Sequence, residues 1–247
     1  MVKFRIIRSL LPIVAISLGL PGPGPAKAQG QIDADAKEIV EAVSASLAAA
    51  ESIKVTGTRS VDEALLGSSS GKEEVDFELS FVRPNKLHVS TVDEAGTRLF
   101  LYDGATVSLV EKEQKLYATA DLEAPDITAL AEAMSKRFGF YPPVAEFLAA
   151  NPAEQLLDNV TEGTMTTAGD NTLLAFAQEG LKWEMLIAGD SKLPLRLTIH
   201  HTEIEGQPQF EVIFSEWELD ADLADTAYSV EVGEDFQKIE IVPIPED

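Results

Sequence analysis

Few of the side chains present can do covalent or acid–base chemistry. The 247 residues hold no cysteine, three histidines, and 42 acidic side chains against 19 basic ones. Lack of cysteine removes thiolate nucleophiles, disulfides and Cys-based zinc or iron–sulfur sites. Gly67-Ser68-Ser69-Ser70-Gly71 matches the G-x-S-x-G pattern, but that serine acts only on a strand-to-helix turn beside a histidine. Here the segment lies between alternating runs, so a polar hairpin loop is expected. His200 and His201 are adjacent in an alternating run, which sends them to opposite faces of a strand and prevents a shared ion. His88 alternates with Leu87 and Val89 on another run and reads as a strand-face residue. Asp220, Asp222 and Asp225 lack the glycine and bidentate glutamate of a calcium loop, so a solvated turn is expected. Paired carboxylates of the glycosidase kind carry no information among so many acids. Neither a dinucleotide glycine fingerprint nor a P-loop lysine is present. No catalytic residue, cofactor or metal is assigned.

The same inventory excludes partners. A formal charge of −23 and a pI near 4.4 oppose nucleic-acid binding, which needs clustered Lys and Arg. That sign would also be repelled by an anionic membrane surface.

The start of the chain reads as an export signal. Lys3, Arg5 and Arg8 precede an apolar run from Ser9 to Leu20, then Pro21-Gly22-Pro23-Gly24-Pro25 and Ala26-Lys27-Ala28. This is a basic, apolar and small-residue sequence in that order, with cleavage expected before Gln29. The run is shorter than the roughly 20 residues that span a hydrocarbon core. Removing residues 1–28 leaves 219 of the 247, and the loss of four basic side chains takes the charge from −23 to −27. The expected product is one exported domain, residues 29–247, large enough to bury a core.

Within that domain residues 33–50 have helical spacing, with Ala36, Ile39, Val40, Val43 and Leu47 on one face and an acidic first turn. From Ser52 to about Thr119 the period is two. Val75, Phe77, Leu79 and Phe81 form one such run, and Asp103-Gly104 gives a strong hairpin signal. The short connections require an antiparallel meander. Residues 125–138 return to helical spacing, with Leu130 and Met134 on the apolar face. Pro142-Pro143 opens a second short helix, Val144 to Ala150, carrying Phe147, and Asn151-Pro152 ends it. Alternation then resumes through Phe176, Trp183, Leu197, Phe210 and Phe214. The order helix, strands, helices, strands, with no linker between halves, predicts an α+β domain. Its one antiparallel sheet has about 9–11 strands, curled, with helices across the concave side. Leu99-Phe100-Leu101-Tyr102 is apolar at successive positions, so that strand is expected to be buried on both faces.

Phe81-Val82-Arg83-Pro84-Asn85-Lys86-Leu87, followed by Tyr102-Asp103-Gly104-Ala105-Thr106-Val107, resembles the periplasmic lipoprotein-carrier (LolA/LolB-like) superfamily. Its members carry a similar R-P-N turn and a D-G-K-T hairpin; here Ala105 stands in place of the lysine. Tyr141-Pro142-Pro143, Leu174-Ala175-Phe176, Lys182-Trp183, Leu193-Pro194-Leu195-Arg196-Leu197 and Phe214-Ser215-Glu216-Trp217 together resemble a predicted-periplasmic bacterial domain-of-unknown-function family in that superfamily. The resemblance implies an incomplete antiparallel β-barrel with helices as a lid over an apolar cavity. It implies a periplasmic, non-enzymatic binder of a lipid, an acyl chain or a lipidated protein. Phe77, Phe81, Phe100, Tyr102, Phe176, Trp183, Phe210 and Phe214 then become cavity candidates, and Leu130, Met134 and Phe147 lid candidates. Arg83 inherits a lid-gating role; the plainer reading is a charged residue ending a strand. No lipid-attachment cysteine is present, and the matched family has no established cargo. The alternative is an envelope regulatory or assembly module acting through a protein partner, for which so acidic a surface would favour a basic one.

Overall fold

The computed structural model describes residues 31–67, 71–142 and 144–242. The expected export signal and Ser68–Ser70 of the glycine–serine loop lie outside them.

Helix α1 (Ala34–Ala49) leads into β1 (Ser52–Asp62), β2 (Lys72–Val82), β3 (Lys86–Asp93), β4 (Gly96–Tyr102), β5 (Thr106–Glu111) and β6 (Leu116–Asp121). Three helices follow, α2 (Ile127–Phe138), α3 (Ala145–Leu148) and α4 (Pro152–Leu157). Then come β7 (Glu162–Ala168), β8 (Asn171–Gln178), β9 (Leu181–Ile187), β10 (Pro194–His201), β11 (Gln209–Leu219) and a short β12 (Gln237–Ile239). Hydrogen bonding orders the strands β12-β6-β5-β4-β3-β2-β1-β11-β10-β9-β8-β7. Every pair is antiparallel except β12 with β6. The sheet does not close, and it forms an incomplete antiparallel barrel with the helices packed on its concave face. β1 is the hinge of the topology: it joins the two meanders by pairing with β2 on one side and β11 on the other.

The described residues form twelve strands, where the alternation predicts about nine to eleven. Asn151-Pro152 is a helix start instead of only a stop. Asn151 caps α4 by accepting from Glu154 N–H at 3.4 Å, with Pro152 at the first helical position, where its missing N–H costs nothing. The helix expected over 144–150 shrinks to the four residues of α3. Val144 enters it at φ 54°, outside the right-handed region, and Ala149 at ψ 162° has already left it.

The period of two gives the sheet two distinct faces. Ile53, Val55, Val75, Phe77, Leu79, Phe81, Leu87, Val89, Phe100 and Tyr102 meet across β1–β4 on the inner face. All of these but Val75 pack in one interior with Val40, Val43 and Leu47 of α1, Leu130 and Met134 of α2, and Phe147 and Leu148 of α3. The double burial at Leu101 has another cause. The chain after β11 turns at Asp220, whose N–H donates to Ser52 O at 2.8 Å, then crosses the outer face. A single 3-10 turn, Asp225–Tyr228, packs against β3 there, with Tyr228 buried. β12 finally joins the far edge at β6.

Candidate functional site

The site is best built from the R-P-N turn after β2. The last carbonyls of a helix have no intrahelical partner and carry the negative end of its dipole. Neither α1 nor α3 supplies a basic residue in its own last turn. Arg83 supplies one to both. Its Nη2 donates to Leu47 O at 2.9 Å and Nε to Ala50 O at 2.9 Å, closing the end of α1. Nη1 donates to Leu148 O at 3.1 Å and Ala149 O at 3.3 Å, closing the end of α3. The guanidinium also lies 5.5 Å from the Phe81 ring centroid, within cation–π range. Burial lowers the Arg83 pKa, opposed by the charge of Glu51, and an arginine stays charged regardless.

Asn85 and Tyr102 complete the attachment. Asn85 Nδ2 donates to Ala124 O at 2.5 Å, while Ala124 N–H donates to the Tyr102 hydroxyl at 2.8 Å. That hydroxyl donates in turn to Gly104 O at 2.8 Å. The segment leading into α2 is therefore pinned through both polar groups of one residue. The sequence pattern places Tyr102 among apolar cavity residues and gives Asn85 no role; the asparagine of R-P-N is the signal that could have found it. On α3 the half-buried Glu146 pairs with the Tyr141 hydroxyl, and burial pushes both groups upward in pKa.

All eight aromatic candidates lie on the inner face, at positions in register with inner-face neighbours. They are brought together as a packed layer. Phe147 of α3 meets Phe214 edge-on with centroids 5.8 Å apart, and Phe214 meets Phe77 at 6.5 Å. Phe140, just after α2, lies 5.4 Å from Phe100. Phe176 and Trp183 stack at 4.3 Å. Leu130, Met134 and Phe147 point inward and are almost fully buried. One small space of about 10 Å³ lies beneath Val144, between Phe77, Leu79, Val89 and Val212. That is room for about one water molecule.

A larger depression of about 380 Å³ opens toward the β7 edge. It is lined by Glu162, Lys182, Glu184 and His200 together with Phe176 and Trp183. His200 pairs with Lys182 on the outer face, whereas His201 lies opposite Leu181 on the inner one. Among the described residues, no three His, Asp or Glu side chains come close enough to hold a metal ion. No described helix is long and apolar enough to cross a membrane.

No curated protein matches the sequence. Among solved structures it is similar to an uncharacterized conserved protein from Thermus thermophilus, at 10% identity and TM-score 0.48, covering 83% of this chain and 99% of that one. LprF from Mycobacterium bovis is similar at 13% identity and TM-score 0.48, covering 83% and 100%. A LolA superfamily protein from Nitrosomonas europaea is similar at 10% identity and TM-score 0.37, covering 79% and 97%. The family described as "Predicted periplasmic protein (DUF2092)" matches residues 36–242, from α1 to the end of the described tail, and the chain belongs to it.

Proposed function

We propose that this periplasmic protein binds an apolar chain, of a lipid or a lipidated protein, without chemical conversion, by lifting its helices from the inner face of the sheet. The clasp at Arg83 carries this reading. One side chain holds α1 and α3 through backbone carbonyls, so a single point of release frees both. The layer exposed by that release is the aromatic one of Phe77, Phe147 and Phe214. Burying a methylene stabilises by ~0.8 kcal/mol, so an acyl chain of fourteen carbons offers roughly 11 kcal/mol against the cost of separating the packed faces. A fluorescent fatty-acid probe added to delipidated protein, with native mass spectrometry of the complex, tests it. Saturable uptake at one chain per protein is expected, and no uptake of any apolar probe would overturn it.

An acidic outer face favours protein binding as a second reading. Glu74, Asp76 and Glu78 of β2 and Glu211, Glu216 and Glu218 of β11 flank β1 on that face, where Lys54 pairs with Glu78 at 3.3 Å. A basic envelope partner captured at low salt and released at high salt would support it.

A further inference from the structure

The inner face is apolar at the Arg83 end and charged at the other. Arg59 of β1, Glu73 of β2, Asp93 of β3, Arg98 of β4 and Glu111 of β5 all point inward there. Arg59 is 4% exposed and Arg98 6%. Arg98 Nη1 lies 2.9 Å from Asp93 and its Nε 3.4 Å from Glu111. Arg59 Nη2 bonds Glu73 at 2.5 Å, but Arg59 Nε has no hydrogen-bond partner. A buried donor left unsatisfied is costly. Arg59 lines the small space beneath Val144, whose other walls include Phe77, Leu79, Val89 and Val212. Val144 is β-branched and held at φ 54°, a conformation costly for such a residue. Arg59 borders that space, whose surface is apolar, and its Nε N–H is buried without a partner.

We infer that Arg59 Nε is the polar recognition point for the ligand, and that it takes an uncharged acceptor oxygen, such as an ester or amide carbonyl, in preference to a carboxylate. The inference rests on the interior being an apolar-ligand site. The preference follows from the charge count. Two guanidiniums already face three carboxylates, so a fatty-acid anion would bring a fourth negative group into a buried cluster. A neutral carbonyl satisfies the N–H and adds no charge. Burial pushes the Glu111 carboxyl upward, opposed by the Arg98 charge and hydrogen bond. From Arg59 the attached chain would run along Phe77, Leu79 and Val89 toward the Arg83 clasp.

The test is displacement of a neutral fluorescent probe, N-phenyl-1-naphthylamine, from delipidated protein at pH 8 by methyl oleate, oleate and 1-octadecene. Methyl oleate is expected to bind about tenfold or more tightly than either of the others, the range of one hydrogen bond to a charged donor. Arg59→Met combined with Glu73→Gln, which removes one charge of each sign together and leaves the Arg98 pairs in place, should reduce that advantage to about the level of octadecene. The wild-type series stands without the variant if the variant does not fold. Oleate binding as tightly as the ester, or all three binding equally, would overturn the Arg59 assignment while leaving the apolar site intact. No binding of the probe or of any of the three competitors would overturn the apolar-ligand reading itself.

Discussion

Arg83 and Glu146 each bear on how firmly the helices are held. Arg83 makes four hydrogen bonds to helix-terminal carbonyls, and bonds to a charged group contribute roughly 1.5–3 kcal/mol each when isolated. They share one cation, so the sum falls short of four times that. Arg83→Leu should lower stability by about 2–4 kcal/mol in urea denaturation. It should also speed amide exchange at the ends of α1 and α3 more than in the strands. Uniform acceleration across the sheet would mean that Arg83 supports the whole fold and not the helices. Glu146 adds a pH dependence. Burial, partly offset by hydrogen bonds, raises its carboxyl pKa, so the folded state prefers the protonated form. Its contribution is fully present below the ordinary carboxylate range and is lost as pH rises through that range toward the folded value. Glu146→Gln should therefore melt like the wild type near pH 4 and above it at pH 7. His88 and His201 are held low by burial and act oppositely, losing stability as pH falls through the ordinary histidine value, so the informative quantity is the difference between variant and parent. At this scale the sequence marks Arg83 only through a resemblance. Its four acceptors are hidden because they are backbone atoms 33 to 66 positions away.

The elements are more legible. α1, α2 and the two meanders follow from periodicity because each has one face in a single core, and that constraint writes itself into residue order. α3 and α4 escape it because four- and six-residue helices carry too few turns for a period, leaving Asn151-Pro152 to read as a stop when it is also a start. The C-terminal strap escapes it because its contact with β3 and its parallel pairing at β6 depend on tertiary placement. β12, at three residues, shows no alternation of its own. One position shows how the two meanders are joined. Gly57 sits where β1 shifts register against β11, and a Cβ there would lie 2.2 Å from Ile213 O and 2.9 Å from the Phe77 ring. The backbone oxygen cannot move without breaking the β1–β11 ladder. Gly57→Ala should cost roughly 2–3 kcal/mol through overpacking, read as a lower denaturation midpoint at unchanged slope. A neutral result would show that the bulge relaxes freely.

At the scale of the whole molecule the interior is amphipathic along its length, aromatic under the helices and ionic at the far end. Among the described residues the aromatic layer is closely packed against the helices, so the proposed binding capacity resides in the difference between two arrangements. Sequence pattern reveals the aromatic half, since inward positions alternate with polar ones. It does not reveal that Arg59, Arg98 and Glu111 also face inward, because charged residues in an alternating strand read as the wet face. Nor does it show whether the inner layer is hollow or packed, which depends on how deeply Phe140 and Phe147 seat. The absence of cysteine allows the central claim to be tested by distance. Spin labels on Ala150→Cys, after α3, and Glu78→Cys, on the outer face of β2, report separation of helix from sheet by double electron–electron resonance. A second, longer distance should appear as an apolar ligand saturates the protein, and should already be populated in Arg83→Leu without ligand. An unchanged single distance in the fully liganded protein would contradict the account.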